Sequence, residues 1–138
     1  MSGARRENRS LCPLSISLEI FGDRWTLLIV RDLMLKGRNS FREFADSGEK
    51  IASNVLADRL ARLETHGIID RRPHPEDGRS QIYRLTEKGI QLAPVLLEMI
   101  LWAARHERTA APPSEVKRIE KQRAAYLSEI RQRWEESR

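Results

Sequence analysis

Two clusters of side chains in this chain have the types and spacing to do chemistry. Ser53 and Asn54 open the stretch 51–67, and Arg71, Arg72, His74, Arg79 and Arg84 crowd the stretch after it. Asn can bond an adenine edge in a bidentate way, and Ser can serve a base or a phosphate. Arg62, two turns along the same stretch, has the reach for a phosphate or a guanine. Arginines on a protruding loop suit phosphate contact or entry into a minor groove, with Arg79 at the tip and Arg72 outward beside Asp70. Asp58 has two readings: it can accept from cytosine, or it can pair with Arg62 four residues on. The pair is favoured, because a carboxylate close to phosphates is repelled. Ser40, Arg42, Arg59 and Gln81 complete the candidate contacts to nucleic acid. The plain alternative is an ordinary amphipathic helix beside a solvated hairpin.

Other chemistry finds no support. His66, His74 and His106 lie far apart, and none has metal-ligand spacing to another or to Cys12. There is no Gly-rich phosphate loop, nucleophile elbow or paired-carboxylate motif, so no catalytic residue, metal or cofactor is expected. His66, beside Gly67, reads as a solvated helix-end residue. The formal charge is +5, from 25 Lys+Arg against 20 Asp+Glu, which favours a polyanionic partner. One cysteine precludes an intramolecular disulfide and fits a reducing compartment. With no apolar run of membrane-spanning length and no signal-peptide pattern, a soluble cytoplasmic protein is expected, without membrane contact.

The elements that must position these residues follow from periodicity. Leu56, Leu60 and Leu63 fall on one stripe of a helix, which Gly67 is suited to end. Strand-like runs at 68–72 and 81–86 are joined across Asp77-Gly78, a hairpin signal if the glycine supplies a positive φ. Upstream, Pro13 suits the first turn of a helix carrying Leu14, Leu18 and Phe21, and Asp23 can cap an apolar helix running to Gly37. Ser40 can cap a short helix over 41–46, followed by a Ser47-Gly48 turn. A short helix, a glycine turn, a second helix with a polar face and a hairpin outline a winged helix-turn-helix.

Beyond the hairpin, one helix is expected from Thr86–Gly89 to about Arg108, with Pro94 either kinking it or marking its true start. Its broad apolar face suits a second copy of the chain, although closure of its own core explains the periodicity nearly as well. Pro112-Pro113 breaks the chain, and Ser114 can cap a single amphipathic helix over 114–136. The fold expected is mainly α with a small β-hairpin. Its parts are a loose basic arm over 1–10, a winged-helix DNA-binding domain with dimerisation helices over 11–108, and the tail helix.

Several of these stretches carry a family resemblance. Cys12-Pro13 followed by Phe21-Gly22-Asp23-Arg24-Trp25 resembles the opening of the HxlR-type transcriptional regulators. Phe41-Arg42-Glu43-Phe44, the run from Val55 to Glu64, Gly67-Ile68-Ile69 and the run from Tyr83 to Gly89 continue the likeness. The resemblance implies a bacterial, homodimeric winged-helix protein that lays its recognition helix, 53–66, in the major groove of double-stranded DNA, with the wing, 70–84, on the backbone or minor groove. It implies dimer contacts from the first and the post-wing helices, here Leu14, Leu18, Leu92, Val95, Leu96, Met99 and Trp102. Some such regulators sense oxidants or electrophiles through a cysteine that Cys12 matches; a buried structural thiol is the other reading.

Two departures stand out. Ala52 replaces a capping serine, so the helix is expected to start at Ser53, and the wing loop from Pro75 to Ser80 looks like that of MarR-type regulators. The functional expectation is a sequence-specific repressor on a pseudo-palindromic operator, with a small-molecule effector of unknown identity. The competing expectation is a winged-helix module that binds protein and not DNA.

Overall fold

Leu56, Leu60 and Leu63 bury one side of a helix that spans Ser53–Thr65, here α4. This computed structural model describes residues 9–137, so the expected basic arm lies, up to residue 8, outside the described residues. The chain divides into two compact units, Met1–Gly89 and Ile90–Arg138.

The first unit carries α1 (Pro13–Phe21), α2 (Thr26–Leu35), α3 (Phe41–Ala45), α4, β1 (Ile69–Pro73) and β2 (Gln81–Leu85). α2 packs on both α4 and β2, while α3 and β1 pack on α4. Ile29, Val30, Phe44, Ile69 and Leu85 are buried with the α4 leucines. Local signals set the ends of these elements. The Asp23 carboxylate accepts from the Trp25 and Thr26 amides and from the Thr26 hydroxyl at the entry to α2. Ser40 accepts from the Glu43 amide at 3.2 Å, and Glu43 reaches back to the Ser40 hydroxyl and the Asn39 amide, a reciprocal cap on α3. At the end of α4, Gly67 has φ +72°. Its amide bonds Glu64 O and the Ile68 amide bonds Leu63 O, the paired closure that a left-handed residue permits.

β1 and β2 form a two-stranded antiparallel sheet with Ile69 opposite Leu85 and Arg72 opposite Ile82. Ser40 adds an isolated bridge to Ile82, and the Tyr83 amide bonds Asn39 O at 2.8 Å. The hairpin turn differs from expectation. Gly78 does not take a positive φ, and Asp77 does the turning instead. Its carbonyl accepts from the Ser80 amide and its carboxylate from the Arg79 amide, placing Gly78 where an ordinary negative φ serves.

After β2, Thr86 closes the junction: its hydroxyl bonds Gly67 O and accepts from the Gly89 amide. The single long helix expected next is two, α5 (Glu87–Ile90) and α6 (Ala93–His106), and Pro94 lies in the first turn of α6. In the second unit α6 packs with α7 (Pro113–Lys121) and α8 (Arg123–Glu136). The expected tail helix is therefore broken, at Gln122. Two bonds require the break: Tyr126 donates to Glu115 at 2.8 Å, and Arg118 pairs with Glu129. Each pair is 11 residues apart, roughly 16 Å along a continuous helix. Burial, and then the hydrogen bond to the Glu115 carboxylate, push the Tyr126 phenol up to about 12.

Candidate nucleic-acid interface

Because α4 buries Leu56, Leu60 and Leu63, helical geometry turns Asn54, Asp58, Ala61 and Thr65 to the opposite side. All four are exposed, and so is Ser53. Ser53 is the first helical residue, as Ala52 predicts, and no side chain caps the helix at Ala52. Among the described residues, the opening amides of α4 thus receive no side-chain cap.

The candidates separate into those displayed on the surface and those occupied elsewhere. Arg42 on α3 is 93% exposed and only loosely paired with Asp46, at 4.0 Å. Arg79 is 98% exposed at the wing tip, and Arg72 is exposed on β1. Ser40 spends its hydroxyl on the α3 cap. His74 accepts from the Glu76 amide through Nδ1 while its own amide bonds Ser80 O, so it braces the wing loop. Gln81, at the start of β2, is half-buried.

The expected Asp58–Arg62 pair does not form. Asp58 Oδ2 takes Arg59 NH1 at 2.5 Å, and Arg62 instead donates to Glu19 O of α1 at 3.4 Å. Arg59 also donates through Nε to Asp23 Oδ1 at 3.1 Å, which occupies it on the side facing the start of α2. Burial pushes the Asp23 carboxyl up, but hydrogen bonds from Thr26, Trp25 and Arg59 outweigh that and hold it at about 2. A residue next in sequence has therefore displaced the i+4 partner, because Arg59 is already drawn toward Asp23.

The turn before α4 holds a feature that sequence reasoning missed. Lys50 is exposed with φ 61°, the one positive-φ non-glycine among the described residues. Its neighbour Glu49 is fixed by Arg31 at 3.0 Å and Arg24 at 3.5 Å, and Arg31 and Arg38 both bond the buried Asp32. The charged run from Arg24 to Arg38 is thus scaffolding for the turn. Nothing in its spacing distinguishes it from solvated charge. Between α4 and the hairpin lies an open groove of about 450 Å³, edged by Phe41, Ala57, Ala61, Arg71 and Tyr83. Arg71 pairs with Glu64 across it at 3.2 Å, and burial chiefly raises the Tyr83 phenol above its ordinary value.

Residues 20–110 match the sequence model of the HxlR-like helix-turn-helix proteins. The chain belongs to the HxlR-like helix-turn-helix family. It is 38% identical to the HTH-type transcriptional regulator YodB of Bacillus subtilis (strain 168) over 95 residues, covering 68% of this chain and 84% of YodB. Among solved structures it is similar to PA1607 at 37% identity and TM-score 0.67, covering 76% and 72% of the two chains. It is similar to the redox regulator HypR in its oxidized form at 28% identity and TM-score 0.62, covering 71% and 100%. An HxlR-like chain is accordingly a winged-helix transcriptional regulator.

The remaining candidates lie on apolar surface and at α1. Leu14 and Leu18 are 68% and 58% exposed, and Met99 and Trp102 are 55% and 61% exposed. Val95 is exposed and Leu92 half-buried, whereas Leu96 is already buried and is not presented to a second copy. Cys12 is exposed at the start of α1, against the reading of a buried structural thiol. No helix among the described residues is long and apolar enough to cross a membrane.

Proposed function

We propose that this regulator is a homodimeric repressor that binds a pseudo-palindromic operator in double-stranded DNA. The exposed polar ridge of α4, flanked by the exposed Arg42 and Arg79, carries the reading. α4 lies in the major groove, where Ser53 and Asn54 meet base edges. Arg42, Arg72, Arg79 and the uncapped amides of α4 meet phosphates, and the wing tip follows the backbone or minor groove. Arg59 serves by holding α4, and Arg62 stays at its α1 flank. The exposed leucines of α1 and the Val95, Met99 and Trp102 face of α6 join two copies, setting the recognition helices about one turn (~34 Å) apart.

Capture of genomic fragments by the purified protein at about 150 mM salt tests this. A few enriched fragments sharing an inverted repeat, lost in the Arg72→Ala/Arg79→Ala double mutant, are expected. Enrichment of no fragment, with the wing dispensable for activity, would instead favour a protein-binding module.

The exposed Cys12 supports an electrophile-sensitive repressor. YodB has been solved in reduced, diamide-treated and quinone-bound forms. As this sequence has one cysteine, any disulfide at Cys12 is with a thiol outside it, that of a second copy or of a small molecule. Diamide or quinone is expected to release the captured fragments from the wild type but not from Cys12→Ser.

A further inference from the structure

The Asp58 carboxylate is out of place on a surface that meets phosphates, and its surroundings suggest what it does there. It stands 58% exposed in the middle of the α4 ridge. One oxygen is engaged by Arg59, and among the described residues Oδ1 has no partner. Arg59 is itself anchored, 21% exposed, to the Asp23 carboxylate that receives the first amides of α2. Asp23, Arg59 and Asp58 thus form a relay from the start of α2 to the recognition surface, with a net charge of one negative.

We propose that Asp58 reads a cytosine in the operator and that Arg59 is the positioning residue that presents it, the Asp23–Arg59–Asp58 chain of ion pairs being the structural basis. The proposal rests on the DNA-binding reading above and adds the base.

An ionised carboxylate only accepts hydrogen bonds, so in the major groove it can be satisfied only by the amino group of cytosine or adenine. Adenine places the acceptor N7 beside its amino group, where a carboxylate is repelled. Cytosine carries only a C–H on that flank and presents no such acceptor. With Arg59 drawn to Oδ2, Oδ1 is the oxygen left facing outward, and it suits a single cytosine N4. The Arg59 cation lowers the cost of bringing the carboxylate among phosphates. Held by Asp23, that guanidinium fixes Asp58 rather than wandering to the backbone itself.

Selection from randomised duplexes, sequenced after binding, tests the assignment. Wild-type protein should enrich one cytosine at a fixed position in each half-site. Asp58→Ala should flatten that position on the order of tenfold while leaving the others unchanged. Asp58→Asn should move the preference toward adenine, since an amide both donates and accepts. Arg59→Gln should weaken the preference at the same position, and Arg59→Lys, which keeps the charge but not the fork, should restore part of it. A purely structural Arg59 would lower binding to all sequences together. The proposal is overturned if Asp58→Ala keeps every base preference and merely binds more tightly. Failure of the wild type to enrich any sequence would overturn the DNA-binding reading itself, a separate outcome.

Discussion

Replacing Asp23 with Asn removes the charge at the head of α2 but leaves a carbonyl to accept from the Trp25 and Thr26 amides. The native carboxyl is held at about 2 against an ordinary 3.8, a difference worth about 2 kcal/mol of folding stability at neutral pH. The side chain is only 22% exposed, so solvent does not screen most of that figure away. The sign follows from the lowered folded-state value. The contribution is complete above about pH 5, where the unfolded carboxyl is also ionised, and it is lost as pH falls from there through about 2. Urea unfolding of wild type and Asp23→Asn should therefore differ by about 2 kcal/mol at pH 7, and by progressively less at pH 4 and pH 3. A difference that stayed constant over that range would refute the reasoning. It would mean that Asp23 acts through the shape of its cap, not through its charge and Arg59.

Other expectations follow from single sites. Gly89→Ala would put a methyl 2.2 Å from Ile68 O and 3.0 Å from Leu85 Cδ2, and should cost about 3 kcal/mol in urea unfolding. Gly67→Ala meets nothing within 4 Å and pays only for φ +72°, about 1 kcal/mol, so the two glycines should rank clearly apart. Ser40→Ala removes the reciprocal cap of α3 and should cost about 1 kcal/mol by the same measurement. Leu18→Glu combined with Met99→Glu should weaken self-association on the order of a hundredfold by sedimentation equilibrium, with the circular dichroism spectrum unchanged. A dimer that survives would place the interface elsewhere.

What the sequence disclosed was mostly what neighbours along the chain decide. Ser40 with Glu43, Asp23 with Thr26, and Gly67 after Leu63 are local pairings, and each could be anticipated from spacing. The Arg59 link to Asp23 spans 36 residues, and no periodicity announces it. Without it, Arg62 was the natural partner for Asp58. The break at Gln122 was hidden for a different reason: the apolar stripe runs in phase from Ile119 through Tyr126 to Ile130, so pattern alone draws one helix. Lys50 escaped because lysine has no preference for the left-handed region, and it adopts that conformation where Glu49 is tied to α2.

The contacts between the head of α3 and β2 bear on the spacing of the proposed DNA contacts as well as on the fold. Ser40 bridges Ile82, and the Tyr83 amide holds Asn39 O, so the segment leading into the helix-turn-helix is stitched to the wing. A reader built this way has a fixed stride. With α4 and Arg79 placed on DNA as proposed above, the distance from the bases under α4 to the flank under Arg79 is set by main-chain bonds and not by a hinge. One inserted base pair between those positions would also rotate the flank by about a tenth of a helical turn. An operator read in the proposed way has a spelling and a meter, and the meter is kept by main-chain bonds that carry no sequence information.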